Sequence, residues 1–212
     1  ADVYLAGERA YKIKKPVHFD YMDFSTADKR RAALERELEI NRINAPGLYI
    51  DVVPVTRAAN GRLGLGGDGE AVDWVLRMNR FAQSDMLSAV NAAGGLTGDL
   101  AAALADTVAA SHRKAPVLTD PDAAARTLRI VRQLQNVFVG KGPACSAEDA
   151  KRFRSLLDEH FAAANKCLNL RGRRGRVRHC HGDLHLRNIV LVDGRPTLFD
   201  ALEFDEELAT TD

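Results

Sequence analysis

Two histidines, an aspartate and an asparagine lie close together in the stretch HGDLHLRN, residues 181–188. Two apolar runs, IVLV and RPTLF, follow it and are separated by Asp193 and Gly194, a dipeptide that strongly favours a two-residue hairpin turn. Pairing outward from this turn brings Asn188 beside Asp200 at the open end of the hairpin. An amide oxygen and a carboxylate held together on rigid strands suit Mg²⁺, so the pattern predicts a magnesium site.

Asp183 lies five residues before Asn188, in the loop that leads into the same hairpin. Its carboxylate can reach the side of the metal where a substrate hydroxyl would sit. Phosphoryl transfer uses such a set: an aspartate that accepts the hydroxyl proton, an asparagine and a second aspartate on Mg²⁺, and a remote lysine on the phosphates. The spacing D-x-x-x-x-N also occurs in the catalytic loop of protein kinases. The segment therefore predicts metal-dependent phosphoryl transfer.

The same region is rich in histidine and cysteine, which makes a zinc cluster the competing interpretation. Its ligands would be His179, Cys180, His181 and His185. Structural zinc sites usually combine two ligand pairs, and the sequence shows no second pair with zinc spacing. We therefore favour the magnesium site.

Length and composition exclude several classes of protein. The 212 residues are 46% hydrophobic and 28% charged, as in ordinary globular proteins, and no apolar run approaches the roughly 20 residues that span a bilayer. A formal net charge of +1 gives no overall field that would favour nucleic acid or a membrane surface. Three cysteines without C-x-x-C spacing, and no signal peptide, predict a cytoplasmic protein with no membrane partner.

The elements that must position the site follow from periodicity and turn signals. The N-terminal part reads as two strands around a turn at Gly7, a helix that begins at Ser25 or Thr26 and ends near Asn44, and three further strands. A small five-stranded antiparallel sheet with one helix packed on it is the simplest arrangement. From Phe81 onward the pattern is mainly helical. The expected fold class is α+β.

Two motifs that suggest ligand binding are interpreted as ordinary loops. GLGGDG, residues 64–69, matches G-x-G-x-x-G, but it leads into a strand rather than a helix and follows Lys12 instead of preceding it. The segment Arg171–Arg178 holds five arginines in eight residues, broken by glycines and without nearby aromatic residues. Neither motif favours a nucleotide loop or a nucleic-acid partner.

HGDLHLRN followed by LFDALEFD resembles the aminoglycoside phosphotransferase and choline kinase-like family. More narrowly, residues 11–50 look like a bacterial branch of that family that is often fused to a C-terminal P-loop ATPase domain. The resemblance covers nearly the whole chain. It implies a protein-kinase-like fold of two lobes, with the N-lobe at residues 1–79 and a helical C-lobe at 80–212. It also implies ATP and Mg²⁺ as cofactors and a small-molecule hydroxyl as phosphate acceptor.

The resemblance implies roles for the residues that match the family's motif. Asp183 would be the catalytic base, and His181 would brace the catalytic loop. Asn188 and Asp200 would bind the metal. Glu203 and Asp205 are further acids near Asp200, and one of them could serve a second metal ion.

In the N-lobe, the resemblance implies that Lys12 binds the nucleotide phosphates and that Glu37 is its ion-pair partner. Lys14 and Glu35 remain alternatives, because strand alternation puts Lys12 and Lys14 on the same face and either carboxylate could face the sheet. The segment DWVLRM resembles the connection between the lobes, whose backbone would hydrogen-bond adenine. Its proposed cofactor-binding members are Asp73, Trp74, Val75 and Arg77.

Two pieces of the family pattern are absent from the sequence. The glycine-containing hairpin that covers the phosphates would precede Ala1, and the helices that usually follow the metal-binding aspartate would come after Asp212. The chain is therefore expected to be a fragment. Three other functions remain open: a non-catalytic kinase-like binding module, a nucleic-acid-associated module that uses Arg171–Arg178, and an atypical protein kinase, which would differ only in its acceptor.

Overall fold

The computed structural model describes residues 1–19, 22–140 and 146–212, so that Cys145 lies outside the described residues. Within these ranges the strands are β1 (Asp2–Ala6), β2 (Arg9–Ile13), β3 (His18–Phe19), β4 (Met22–Asp23), β5 (Tyr49–Arg57), β6 (Leu63–Leu65), β7 (Glu70–Asn79), β8 (Arg178–His179), β9 (Ile189–Val192), β10 (Arg195–Leu198) and β11 (Thr210–Thr211). The helices are α1 (Ala27–Asn41), α2 (Leu87–Ala92), α3 (Gly98–Lys114), α4 (Ala123–Gly140), α5 (Ala147–Arg173) and α6 (Glu206–Ala209).

Packing divides the chain into two compact units. The first contains Ala1–Arg113 and His181–Asp205, and the second contains Lys114–Cys180 and Glu206–Asp212. The first unit thus holds the sheet and, from the far end of the chain, the hairpin of β9 and β10. The lobes expected at residues 1–79 and 80–212 follow chain order rather than packing, and their boundary stays a prediction.

The first unit is built on a five-stranded antiparallel sheet with the strand order β1-β2-β7-β5-β6. The sequence prediction of a small sheet with one packed helix is confirmed, because α1 packs against β5 and β7. Strand β2 lies inside the sheet, where Lys12 pairs with Val3 of β1 and with Leu76 of β7. The lysine-bearing strand is therefore fixed on both edges.

Helix α1 begins where the sequence predicts. Thr26 is the N-cap, and its side-chain oxygen accepts a hydrogen bond from the backbone N–H of Lys29 at 3.3 Å. The buried face of the helix carries Leu34, as expected, but also Glu37 and Asn41, which are 0% and 1% exposed. A buried carboxylate needs charged partners, so the inner face of α1 must meet polar groups of the sheet.

The hairpin of β9 and β10 has the register that its turn residues specify. Val192 pairs with Arg195, and Ile189 pairs with Leu198. Asp193 has φ 50° at the turn, in the left-handed region that the Asp-Gly turn requires. A small core forms beneath the hairpin from Leu87, Ile189 and Leu198, with side chains of α3 packed against it. The hairpin is thereby held rigidly in the first unit.

The second unit contains the paired helices α4 and α5 and the short ladder of β8 with β11. Gly172 permits close packing near the end of α5, because a Cβ atom there would lie 2.0 Å from the carbonyl oxygen of Asp120 and 2.7 Å from Cβ of Ala123. None of the helices in the described part of the chain is long and apolar enough to cross a membrane.

Candidate active site

Lys12 lies at the centre of the polar cluster of the first unit. Its Nζ is 2.6 Å from Oε1 of Glu37 and 2.6 Å from Oδ1 of Asp200. Burial alone would lower the pKa of Lys12, but the two carboxylates outweigh this effect and raise it well above its ordinary value. The ammonium is therefore charged at physiological pH and joins α1 to the hairpin that carries Asp200.

Glu37 is shared between two lysines. Its second oxygen, Oε2, accepts a hydrogen bond from Nζ of Lys14 at 2.6 Å, and Lys14 also forms an ion pair with Glu203. Glu35 lies on the exposed face of α1, where it pairs with Arg31 at 2.8 Å. The structure thus brings Lys12, Lys14 and Glu37 together and places Glu35 elsewhere.

Asp200 follows the end of β10 in an unusual conformation. Its φ of 60° lies in the left-handed region, which is uncommon for a residue other than glycine. Its backbone N–H donates a hydrogen bond to the hydroxyl of Tyr49 at 3.0 Å. Burial alone would raise the pKa of Asp200, but attraction and a hydrogen bond from Lys12 lower it below its ordinary value. Its carboxylate is therefore ionised at neutral pH.

Asn188 connects the two aspartates of the predicted site. It is buried, and its Nδ2 donates to the carbonyl oxygen of Asp183 at 2.8 Å. The same nitrogen lies 3.3 Å from Oδ2 of Asp183 and 3.5 Å from the carbonyl oxygen of Asp200. The structure thus places Asp183, Asn188 and Asp200 in one cluster, with the side chain of Asp183 56% exposed.

His181 ties the loop of residues 181–188 to the hairpin of β9 and β10. Its Nε2–H donates to the carbonyl oxygen of Phe199 at 2.9 Å, and its Nδ1 accepts a hydrogen bond from the backbone N–H of Asp183 at 3.4 Å. Burial lowers the pKa of His181, so the imidazole is neutral at pH 7, as this pair of hydrogen bonds requires. Its contacts are those of a side chain that braces the loop.

A cavity of about 410 Å³ lies beside the ion pair of Lys12 and Asp200. Its wall is mainly apolar, and Phe81 packs edge-to-face on Phe199 with 5.3 Å between ring centroids. The lining residues are Val3, Leu5, Ala10, Lys12, Tyr49, Met78, Arg80, Phe81, Gln83, Met86, Phe199 and Asp200. Size and lining are those of a small-molecule pocket.

The structure does not bring four of the expected cofactor-binding residues to this cavity. They are Asp73, Trp74, Val75 and Arg77, and all lie within β7, which pairs with β2 on one side and with β5 on the other. Asp73 accepts a hydrogen bond from Arg30, and Arg77 pairs with Asp51. Met78, the last residue of DWVLRM, does line the cavity, together with Arg80, Phe81 and Gln83, which follow β7. The adenine contact expected of the backbone of 73–78 stays a prediction.

The sequence analysis did not single out Arg80, Phe81 and Gln83, because a mixture of apolar and basic residues does not show which side chains line a cavity. The run VLRMNRF continues its mixture of apolar and basic residues across the end of the strand at Asn79. Gln83 begins a 3₁₀ turn that ends at Asp85.

The donor set suits magnesium better than zinc. Among the described residues, no three histidine, cysteine, aspartate or glutamate side chains come together as a metal-binding group, so the cluster of His179, Cys180, His181 and His185 is not formed. Asp200 and Asn188 offer carboxylate and amide oxygens. Mg²⁺ commonly takes one or two carboxylates and completes its shell with water and phosphate oxygens, so these two residues fit it.

The arginine-rich segment belongs to the second unit, and its two ends are engaged. Arg171 forms ion pairs with Asp212, and Nη1 of Arg178 donates to the carbonyl oxygen of Ala115 at 3.0 Å. Arg173 lies in the last turn of α5. These contacts give the run a structural function within the unit.

The chain belongs to the phosphotransferase enzyme family, which it matches over residues 18–200. It has the kinase-like fold of that family, with an antiparallel sheet and a set of helices. Uncharacterized proteins of Mycobacterium bovis and of two strains of Mycobacterium tuberculosis are each 31% identical to it over 216 residues. These relatives match 100% of this chain, which spans 42% of their length. No solved structure matches the chain significantly.

Proposed function

We propose that this chain transfers the γ-phosphoryl group of Mg²⁺-bound ATP to a hydroxyl group of a small molecule. The observation that carries the proposal is the joining of Lys12, Glu37 and Asp200 beside a cavity, with Asp183 and Asn188 in contact with the same hairpin. Membership in a family of phosphotransferases supports the reaction class. The donor, the metal and the acceptor are our proposals.

The cavity offers a place for the nucleotide. Its volume of about 410 Å³ and its apolar wall are compatible with an adenine ring, and Lys12 supplies a positive charge for the phosphates. Glu37 holds that ammonium from the side of α1, so its position does not depend on the ligand. Lys12 and Glu37 would thus bind and orient the phosphoryl donor.

Asp200 and Asn188 would hold the metal. When bound, Mg²⁺ would offset the negative charge that develops during transfer. Asp200 is ionised at neutral pH because Lys12 lowers its pKa. Lys12 therefore keeps this carboxylate ionised as well as serving the nucleotide.

Asp183 would orient the acceptor hydroxyl and accept its proton. Its carboxylate is 56% exposed, so it is open to a substrate, while Nδ2 of Asn188 lies 3.3 Å from Oδ2 and restricts its orientation. His181 holds the backbone of Asp183 through Nδ1. Aminoglycoside-, choline- or sugar-like alcohols are the acceptors that we propose to screen.

The longer relatives leave room for a second domain. The chain spans 42% of their length, and we propose that the remainder includes the fused C-terminal P-loop ATPase domain that the sequence resemblance implies. A cytoplasmic location, where ATP is available, is part of the same proposal.

Thermal unfolding with Mg²⁺-ATP, compared with ATP plus a chelator, tests the proposal. A ligand at 100 times its Kd stabilises a protein by roughly 2.7 kcal/mol, which is readily measured. We expect this metal-dependent stabilisation in the chain and its loss in Asp200→Asn. Asp193→Asn, in the exposed turn of the same hairpin, is the matched control, because asparagine accepts the same positive φ. An equal shift in Asp200→Asn, or none in the unmodified chain, would overturn the nucleotide site.

The catalytic base is tested separately. Asp183→Asn should keep the metal-dependent nucleotide shift but lose nearly all turnover, since the amide cannot accept the hydroxyl proton. Turnover is measured as ADP formation with each acceptor class in turn. Undiminished turnover in this variant would show that Asp183 is not the base.

A further inference from the structure

The four residues from Asp200 to Glu203 are each held by a different part of the first unit. The backbone N–H of Asp200 donates to the hydroxyl of Tyr49 at 3.0 Å, and that of Ala201 donates to Oδ1 of Asn41 at 2.9 Å. The backbone N–H of Leu202 donates to the carbonyl oxygen of His181 at 2.9 Å. The side chain of Glu203 forms an ion pair with Nζ of Lys14. The segment that starts at the proposed metal carboxylate is thus anchored to β5, to α1, to the catalytic loop and to the residue that follows β2.

The fourth anchor differs from the others because it joins two buried charges. The side chains of Lys14 and Glu203 are 4% and 9% exposed. Lys14 also donates to Oε2 of Glu37 at 2.6 Å and lies 5.3 Å above the ring centre of Phe24. A buried ammonium with two carboxylates and an aromatic face is a fixed point in the structure rather than a mobile surface lysine.

We propose that Lys14 and Glu203 form a positioning ion pair for the metal carboxylate and for the phosphate-binding lysine. Through Glu203, the pair fixes the segment that follows Asp200. Through Oε2 of Glu37, it prevents that carboxylate from turning away from Lys12. The roles of Asp200 and Lys12 in this inference rest on the proposed function. The restraint on residues 200–203 rests only on the contacts of the structure.

The backbone of Asp200 explains why such a restraint is needed. A φ of 60° is uncommon for a residue other than glycine, and Asp200 holds it in a segment that is anchored by contacts, whereas Asp193 holds a similar φ in an exposed turn. Three of the anchors are single neutral hydrogen bonds, and the ion pair is the only anchor of the four in which both partners are charged. Glu203 is therefore a positioning residue in this proposal, and its carboxylate belongs to Lys14 rather than to a second metal ion.

Substitution at Glu203 tests the pair through the metal dependence of nucleotide binding and turnover. Loss of a group that orients a metal ligand typically costs about 10- to 100-fold in metal affinity. We expect Glu203→Gln to raise the half-saturating Mg²⁺ concentration by about this factor, and saturating Mg²⁺ to restore turnover. Glu39→Gln, which removes an exposed partner of Arg36 on the same helix as Glu37, should change neither quantity. A loss of turnover that excess Mg²⁺ does not restore would show that Glu203 does more than position the metal carboxylate and would overturn the proposal.

Hydrogen exchange provides a readout that needs no activity. In the absence of metal and nucleotide, the amides of Ala201 and Leu202 should exchange about 10-fold faster in Glu203→Gln than in the unmodified chain, and Glu39→Gln should leave them unchanged. Unchanged protection in Glu203→Gln would overturn the proposal. If the unmodified chain fails to bind Mg²⁺-ATP, the proposed function fails, but this exchange experiment still decides whether the pair holds the segment.

The double variant Lys14→Met with Glu203→Met guards against simple unfolding. Removal of both members leaves neither Lys14 nor Glu203 as a lone buried charge, and Glu37 keeps Lys12 as its partner, so the chain should fold even if a single variant does not. We expect faster exchange of the two amides in the folded double variant as well. Protection equal to that of the unmodified chain would show that the other three anchors suffice.

Discussion

Glu37→Gln is the substitution that most directly tests the shared carboxylate of the site. It keeps the shape of the side chain but removes the negative charge that both Lys12 and Lys14 contact at 2.6 Å. Glutamine can accept a hydrogen bond from one lysine through its oxygen, but its NH₂ group faces the other lysine with the wrong polarity. We expect a large loss of stability in the first unit.

The size of the loss follows from burial. Glu37 is 0% exposed, so solvent does not screen its interactions. Removal of one partner of a buried ion pair costs about 3–5 kcal/mol. Each lysine keeps a second carboxylate, Asp200 for Lys12 and Glu203 for Lys14, which favours the lower end. We therefore expect a decrease of about 3 kcal/mol in the free energy of unfolding, or roughly 6–12 °C in Tm.

Tryptophan fluorescence during urea unfolding measures this loss of stability in the first unit of the chain. Trp74 is the only tryptophan of the sequence and lies on β7, so its signal reports on the sheet. Glu39→Gln on the same helix is the control, because that side chain is 69% exposed. Surface substitutions usually change stability by less than about 0.5 kcal/mol. A loss this small in Glu37→Gln would refute the shared buried carboxylate.

Three further predictions concern other parts of the molecule. Tyr49→Phe should lower the free energy of unfolding, measured in urea, by about 1–3 kcal/mol, because the N–H of Asp200 then lacks its partner. An unchanged free energy would show that water replaces the hydroxyl. Gly172→Ala should lower the stability of the second unit by about 1–3 kcal/mol, since the new Cβ would meet the carbonyl of Asp120. Thermal melting followed by circular dichroism measures this loss, and unchanged melting would contradict that packing. The free energy of unfolding should fall as the pH drops below about 6.5, because buried His181 takes up a proton less readily than the same histidine in the unfolded chain. A His181→Gln variant should lose this part of the pH dependence. A pH profile identical to that of the unmodified chain would contradict the prediction.

The parts of the site that the sequence predicted depend on local signals. The Asp193-Gly194 turn sets the register of its hairpin, and that register alone brings Asn188 to the end of β10 near Asp200. Thr26 begins α1 in the same way, through a hydrogen bond within one turn of helix. Local patterns of this kind need no knowledge of the rest of the fold.

The remaining features depend on contacts between distant parts of the chain. Lys14 and Glu203 are separated by 189 residues, and no periodicity links them. Strand alternation left Lys12 and Lys14 as alternatives, whereas the structure gives each lysine one oxygen of Glu37. The surroundings of 73–78 also depend on distant contacts, since only the structure shows that β7 pairs with β5 from Asp73 to Met78 and with β2 from Leu76 to Asn79.

The separation of the site residues along the chain also has a consequence for biosynthesis. Lys12 emerges from the ribosome 188 residues before Asp200, which at about 5–20 residues per second is a delay of roughly 10–40 s. Of the carboxylates of Glu37, Asp200 and Glu203, only that of Glu37 has been synthesised during this interval. Lys12 and Lys14 then share it as their one partner among the three. The sheet cannot reach its final stability until the second segment of its unit, His181–Asp205, has been synthesised. We therefore expect nascent chains that end before this segment to be sensitive to proteases and to bind chaperones, and protection to appear only after Glu203 has left the exit tunnel.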